Sequence, residues 1–174
     1  MPATGESGGV DFLTLYRAHA REVHRFALFL SGDAALAEDL VSETFVRMWH
    51  ARARVDLRTV KGYLFAIARN LYLQERRRTR RAAPLDEAIV DPSPGPVERA
   101  DARAELRAVM AALQELPEID RAAVLMRAEA EMPYTEIASA LRISESAAKV
   151  KVHRARLKLA AARRPLASAG YKRS

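Results

Sequence analysis

The sequence predicts an all-helical chain built as two small domains joined by a proline-rich linker, and three observations carry that prediction. Apolar side chains recur every three or four residues through most of the 174-residue chain, which is the period of one face of a helix. No segment alternates apolar and polar residues over the length of a strand. Between two helical stretches, Ala82 to Pro96 reads AAPLDEAIVDPSPGP, with prolines at 84, 92, 94 and 96. Proline fixes φ and removes a backbone donor, so no helix is expected through this segment. The reading is an N-terminal unit at 10–82, an extended linker at 83–100 and a C-terminal unit at 101–165. The tail from Pro165 to Ser174 is expected to fray.

In the N-terminal unit, Phe12, Leu15, Tyr16 and His19 recur at helical spacing, followed by Val23, Phe26, Ala27 and Leu30. Ser31-Gly32-Asp33 makes the turn, since glycine ends helices and aspartate is a good N-cap. The second helix is expected from Ala34 to about His50. Its apolar face is Ala37, Leu40, Val41, Thr44 and Met48, with Phe45 at the edge. A polar segment, RARVDLRTVKG, leads into a third helix from about Val60 to Arg81, with Leu64, Ile67, Ala68 and Leu71 as its core residues. The C-terminal unit gives helices near Val97–Glu115, Ile119–Ala130, Tyr134–Leu141 and Glu145–Ala162, with Pro117 marking a helix start.

Composition bounds the function. Hydrophobic residues are 49% and charged residues 29%, ordinary for a folded soluble protein. There is no cysteine, which excludes disulfides and thiolate metal sites and is compatible with the cytoplasm. Met1 to Gly9 lacks the basic-then-apolar pattern of a secretory signal. No apolar run approaches the roughly 20 residues that span a bilayer, so no membrane insertion is expected. The net charge of +7 is unevenly spread. Residues 1–83 carry 14 Lys and Arg against 9 Asp and Glu, residues 84–100 carry 1 against 4, and residues 101–174 again carry 14 against 9. Two basic blocks around an acidic connector suggest two contacts with a polyanion.

Enzyme chemistry finds no foothold. There is no cysteine nucleophile, no glycine-rich phosphate loop and no paired-carboxylate pocket. His19 and His24 are five apart, about 140° around a helix, so they do not share a metal on one face. His50 and His153 are isolated. Neither a metal nor a cofactor is expected.

Residues 134–160 read YTEIASALRISESAAKVKVHRARLKLA, the form of a helix-turn-helix. Ile137, Ala138 and Leu141 are buried by the first helix, and Ile143 plugs the turn. Ser144 caps the second helix, with Glu145 facing the positive end of its dipole. On a wheel of 100° per residue, Ala148, Val152, Ala155 and Leu159 form the buried stripe. Lys149, His153 and Arg156 lie on one flank, and Lys151, Arg154 and Lys158 on the other. Val150 and Leu157 sit opposite the core stripe, between those flanks. A helix in the major groove would aim Val150 at base edges, where a thymine methyl suits it, while the cations grip phosphates.

Residues 37–49, AEDLVSETFVRMW, and 63–70, YLFAIARN, precede this motif. With the basic tract after them and the C-terminal YTEIASALRIS…VHRAR, they occur in the order shown by extracytoplasmic-function (ECF) sigma factors, the small two-domain group of the sigma-70 family, which this chain resembles over about residues 12–160. The resemblance implies a region 2 helical bundle followed by a region 4 helix-turn-helix, promoter-specific initiation with RNA polymerase core, and control by an anti-sigma factor, often tethered to the inner membrane. It implies that the AEDL helix docks on the clamp helices of the largest core subunit, with the flap as a further core contact. The outward face of that helix offers Glu38, Asp39, Ser42, Glu43, Val46 and Trp49; Trp49 fits core packing equally well. Ser42 stands where the family usually has glutamine.

The resemblance also places RARVDLRTVKG at the loop that captures an unstacked base of the downstream (−10) element, with Arg54, Asp56, Arg58 and Thr59 as candidates. Lys61, Tyr63, Arg69, Asn70 and Gln74 of the next helix would flank the melted strand. Tyr63, where tryptophan is common, fits base stacking or core packing. The tract Arg76-Arg77-Arg78-Thr79-Arg80-Arg81, at the end of this helix, reads as a phosphate grip, with Arg76 and Arg77 as candidates. For the upstream (−35) element the carry-over gives Lys149, Val150, Lys151, His153 and Arg154. Ala147-Ala148 replaces the usual threonine-valine, and Val150 and Lys151 stand where serine and arginine are common. The alternative is a helix-turn-helix regulator whose N-terminal half senses or dimerises and does not bind polymerase core.

Overall fold

A computed structural model describes residues 11–54, 59–82 and 100–162, with the backbone alone at 100–102. Among the described residues, all regular structure is helical, as expected. The order is α1 (Phe12–Ser31), α2 (Ala34–Ala51), a 3-10 turn (Arg52–Arg54), α3 (Val60–Ala82), α4 (Ala100–Gln114), α5 (Glu118–Glu129), α6 (Tyr134–Leu141) and α7 (Glu145–Ala162). Of the expected 83–100 linker, residues 83–99 lie outside the described residues, as does the tail, while Ala100 already begins α4.

Local chemistry sets the helix ends. Gly32 adopts φ 72° and its N–H donates to Leu28 O at 2.8 Å, closing α1. The Asp33 carboxylate accepts from the Leu36 N–H at 3.0 Å and opens α2. Ser144 Oγ accepts from the Ala147 N–H at 3.1 Å and caps α7. Arg142 closes α6 in the left-handed region at φ 56°, a conformation costing a non-glycine residue about 1 kcal/mol. Pro117 is the N-cap residue of α5, one position before its first turn.

Helices α1, α2 and α3 pack around Val23, Phe26, Leu30, Ala37, Leu64 and Ala68, with the Phe26 and Phe65 rings 4.7 Å apart. Two core assignments change. Phe45 is no edge residue: it is 1% exposed and meets Tyr16 edge-to-face at 4.8 Å. Helix α2 touches both α1 and α3, so its buried face is wider than one stripe. On α3, Val60, Phe65 and Tyr72 are buried while Ile67 is only half-buried. That helix packs against α1, α2 and α6.

In the C-terminal half, α5 is buried continuously from Asp120 to Met126. It contacts α1, α4, α6 and α7, and a helix flanked on several sides is buried all round. The buried apolar residues of both halves join in one cluster. Arg121 fastens the junction. Its guanidinium, 4% exposed, donates to Leu30 O at 2.7 Å, Gln114 Oε1 at 2.6 Å, Gln114 O at 3.3 Å and Leu116 O at 3.1 Å. Those carbonyls cluster at the C-terminal ends of α1 and α4, where helix dipoles are negative, so the buried cation is compensated without a carboxylate.

Candidate functional site

Three surfaces carry the residues singled out from the sequence. The first is α7, which buries Ala148, Val152 and Ala155 and packs against α4, α5 and α6. Packing that stripe inward leaves Val150 53% exposed, with Lys149, His153 and Arg154 exposed around it. Lys149 pairs with Glu145 at 2.8 Å, and that hydrogen bond raises the pKa of its ammonium. Both partners are exposed, so the pair yields readily to another anion. Lys151 differs. Its ammonium turns inward to Asp120 Oδ1 at 3.4 Å, with side chains 22% and 1% exposed. The structure thus leaves one cationic flank carried by Arg154 and Lys158, with Lys151 serving the α5–α7 junction.

The second surface is the outward face of α2. Asp39, Ser42, Glu43 and Val46 are all exposed on it. Ser42 donates back to Glu38 O at 3.1 Å, and Glu43 pairs with Arg47 at 2.8 Å. Trp49 is half-buried: its ring meets Phe12 edge-to-face at 5.3 Å, and the Arg52 guanidinium lies 4.2 Å from its centroid. Packing of Trp49 within the fold is therefore partial.

The third surface runs along α3. Tyr63, Asn70 and Arg77 recur on one exposed face, and Gln74, Arg77, Arg78 and Arg81 line an open crevice further along. The Arg78 and Glu75 side chains pair at 2.7 Å, which lowers the pKa of the carboxyl. Arg76 is half-buried, 5.7 Å from the Tyr72 ring. Lys61 pairs with Glu22 at 3.0 Å. Arg69 makes a two-armed contact with Glu118, Nε to Oε1 and Nη2 to Oε2, each 2.7 Å. Arg54 is exposed at the end of the 3-10 turn and Thr59 just before α3. Asp56 and Arg58 lie outside the described residues.

Residues 15–82 match the family described as Sigma-70 region 2, and residues 106–159 that described as Sigma-70, region 4. The ECF RNA polymerase sigma factor SigM of Bacillus subtilis is 31% identical over 149 residues, covering 84% of this chain and 91% of SigM. The chain belongs to the ECF sigma factors of the sigma-70 family. The ECF sigma factor SigE of Mycolicibacterium smegmatis is 35% identical over 167 residues, covering 90% of this chain, which in turn spans 63% of SigE. Among solved structures, the sigma factor RpoE of Bartonella quintana, in complex with the anti-sigma factor NepR, superposes with a TM-score of 0.71 at 25% identity, covering 87% of this chain and 96% of RpoE.

In this ECF sigma factor the α7 and α2 surfaces lie on separate helices of the two matched regions. Sequence reasoning missed Gln114, Glu118, Asp120 and Arg121, which decide how α3 and α7 are held. The one available signal was DRAAVLM at 120–126, a run too apolar for a helix exposed on any side.

Proposed function

We propose that this chain binds RNA polymerase core through α2 and directs promoter-specific initiation, with a region 2 unit at 10–82 and a region 4 unit at 101–165. The observation that carries this is the pairing of both sigma-70 regions, in order, on one chain. Exposed Asp39, Glu43 and Val46, with half-buried Trp49, present carboxylates beside apolar surface, which suits an arginine-bearing partner helix. The region 4 unit also engages the flap. Arg54, Thr59, Tyr63, Asn70 and Arg77, with Asp56 and Arg58, serve the downstream element. Lys149, Val150, His153 and Arg154 serve the upstream one. An anti-sigma factor, of the kind bound to RpoE, holds the chain inactive.

The chain acts in the cytoplasm, where polymerase and promoter meet, and does no chemistry of its own. Among the described residues, no helix is long and apolar enough to cross a membrane. The test is transcription in vitro with purified core on genomic templates. Discrete promoter-dependent transcripts are expected only when core and this chain are combined. Duplex binding by the free chain without any such transcripts would return the reading to a regulator independent of polymerase.

A further inference from the structure

We propose that Glu118 is an internal stand-in for DNA phosphate: in the docked form it occupies the Arg69 guanidinium, and the two halves must part before Arg69 reaches a promoter strand. The proposal rests on the sigma-factor reading for the role of Arg69 but not for the existence of the latch. A guanidinium fork fits carboxylate and phosphate by the same pair of parallel hydrogen bonds. Glu118 uses both arms of the fork, at 2.7 Å each, and the two side chains are only 14% and 13% exposed. The Nε–Nη2 edge of the guanidinium, the edge that would fork a phosphate in the same way, is thereby taken up by Glu118 beside the exposed face of Tyr63, Asn70 and Arg77.

Release of Arg69 is coupled to domain separation. Glu118 stands in the first turn of α5, which is docked against α1. Were Arg69 to swing to a phosphate while α5 stayed docked, Glu118 would remain as a largely buried, unpaired carboxylate, a heavily penalised state. Parting the halves lets water solvate it. Polar contacts accompany the latch, Arg25 to Glu129 at 2.8 Å, Gln114 Nε2 to Phe29 O at 3.1 Å and Arg121 to Leu30 O at 2.7 Å, beside the apolar cluster that the two halves share. Asp39, Glu43 and Val46 on α2 and Val150 and Arg154 on α7 are exposed in the docked form. The docked form therefore leaves those α2 and α7 faces accessible while Arg69 is withheld.

The chain has no cysteine, so Arg21→Cys and Ala160→Cys, both at exposed positions, can carry a fluorescence-transfer pair in the full chain. Glu118→Gln keeps the shape and removes the charge. It is expected to raise the open-to-closed ratio about tenfold, seen as lower transfer efficiency, because a charge-assisted two-armed contact becomes a neutral one. Affinity for a mixed-sequence single-stranded oligonucleotide of about 20 nucleotides rises in proportion to the open fraction. The same oligonucleotide in excess should lower transfer in the unsubstituted chain and leave an Arg69→Gln chain unmoved. Circular dichroism checks that each variant is folded, and Glu118→Ala replaces any that is not. Unchanged transfer in the Glu118 variant overturns the latch; lower transfer with unchanged oligonucleotide affinity overturns the phosphate mimicry. Absence of transcripts with core, by contrast, strikes the sigma-factor reading while the transfer signal still reports the latch.

Discussion

Lys151 and Arg154 sit one turn apart on α7, and a helical wheel gives them the same flank. The fold separates them. Arg154 is exposed, whereas Lys151 is drawn to a carboxylate, Asp120, that is 1% exposed on α5. A phosphate contact releases counterions, so each one lost lowers the salt slope of duplex binding by about 0.9. Arg154→Met should show that loss on a mixed-sequence duplex titrated at several salt concentrations. Lys151→Met should keep the slope and instead cost about 1–3 kcal/mol of stability, because Asp120 is left buried without its cation. An equal drop in slope for both variants would return Lys151 to the DNA-facing set. Sequence could not make this distinction. A wheel describes one helix, and the deciding carboxylate arrives from another element 31 positions earlier.

At the scale of elements, what is local was legible. The α1–α2 turn was readable because Ser31, Gly32 and Asp33 each meet a need of the backbone within four residues of themselves. The inner faces of α2 and α3 were less legible, since a single stripe assumes one neighbour and each helix has several; hence the misplacement of Phe45 and the omission of Phe65. Gly32 shows both levels at once. Its φ of 72° is local, but a Cβ there would stand 3.2 Å from the Gln114 side chain, which itself donates to Phe29 O and accepts from Arg121. Gly32→Ala is therefore expected to cost about 1–2 kcal/mol in urea unfolding, from the left-handed backbone plus the displaced amide. Gly32→Asn, which tolerates that backbone region better, should lose less from the backbone term. A Gly32→Ala midpoint equal to the parent's would mean the turn is not under this constraint.

At the scale of the molecule, the sequence suggested two units and gave no sign of how they meet. The reason is physical: beside the shared apolar cluster, the junction uses polar atoms that are indistinguishable from surface residues until they are docked. Arg121 looks like any helix-surface arginine, yet it collects carbonyl oxygens from the ends of α1 and α4 and lies within 3.4 Å of the Tyr72 hydroxyl. Arg121→Met leaves the buried Leu30 and Leu116 carbonyl oxygens without this donor. Of its partners only Leu30 O and the Tyr72 hydroxyl lie across the junction, so the docking of the halves should weaken by about 1–3 kcal/mol, the cost of one orphaned acceptor. Cooperativity gives the readout. Trp49 is the sole tryptophan and sits on α2, so its fluorescence reports the N-terminal half, while far-ultraviolet circular dichroism reports helices of both. With one shared apolar cluster, the two urea curves of the parent chain should coincide. In Arg121→Met they should separate into two midpoints, since the halves no longer unfold as one. Coincident curves with a lowered midpoint would instead assign Arg121 to the stability of the C-terminal half alone.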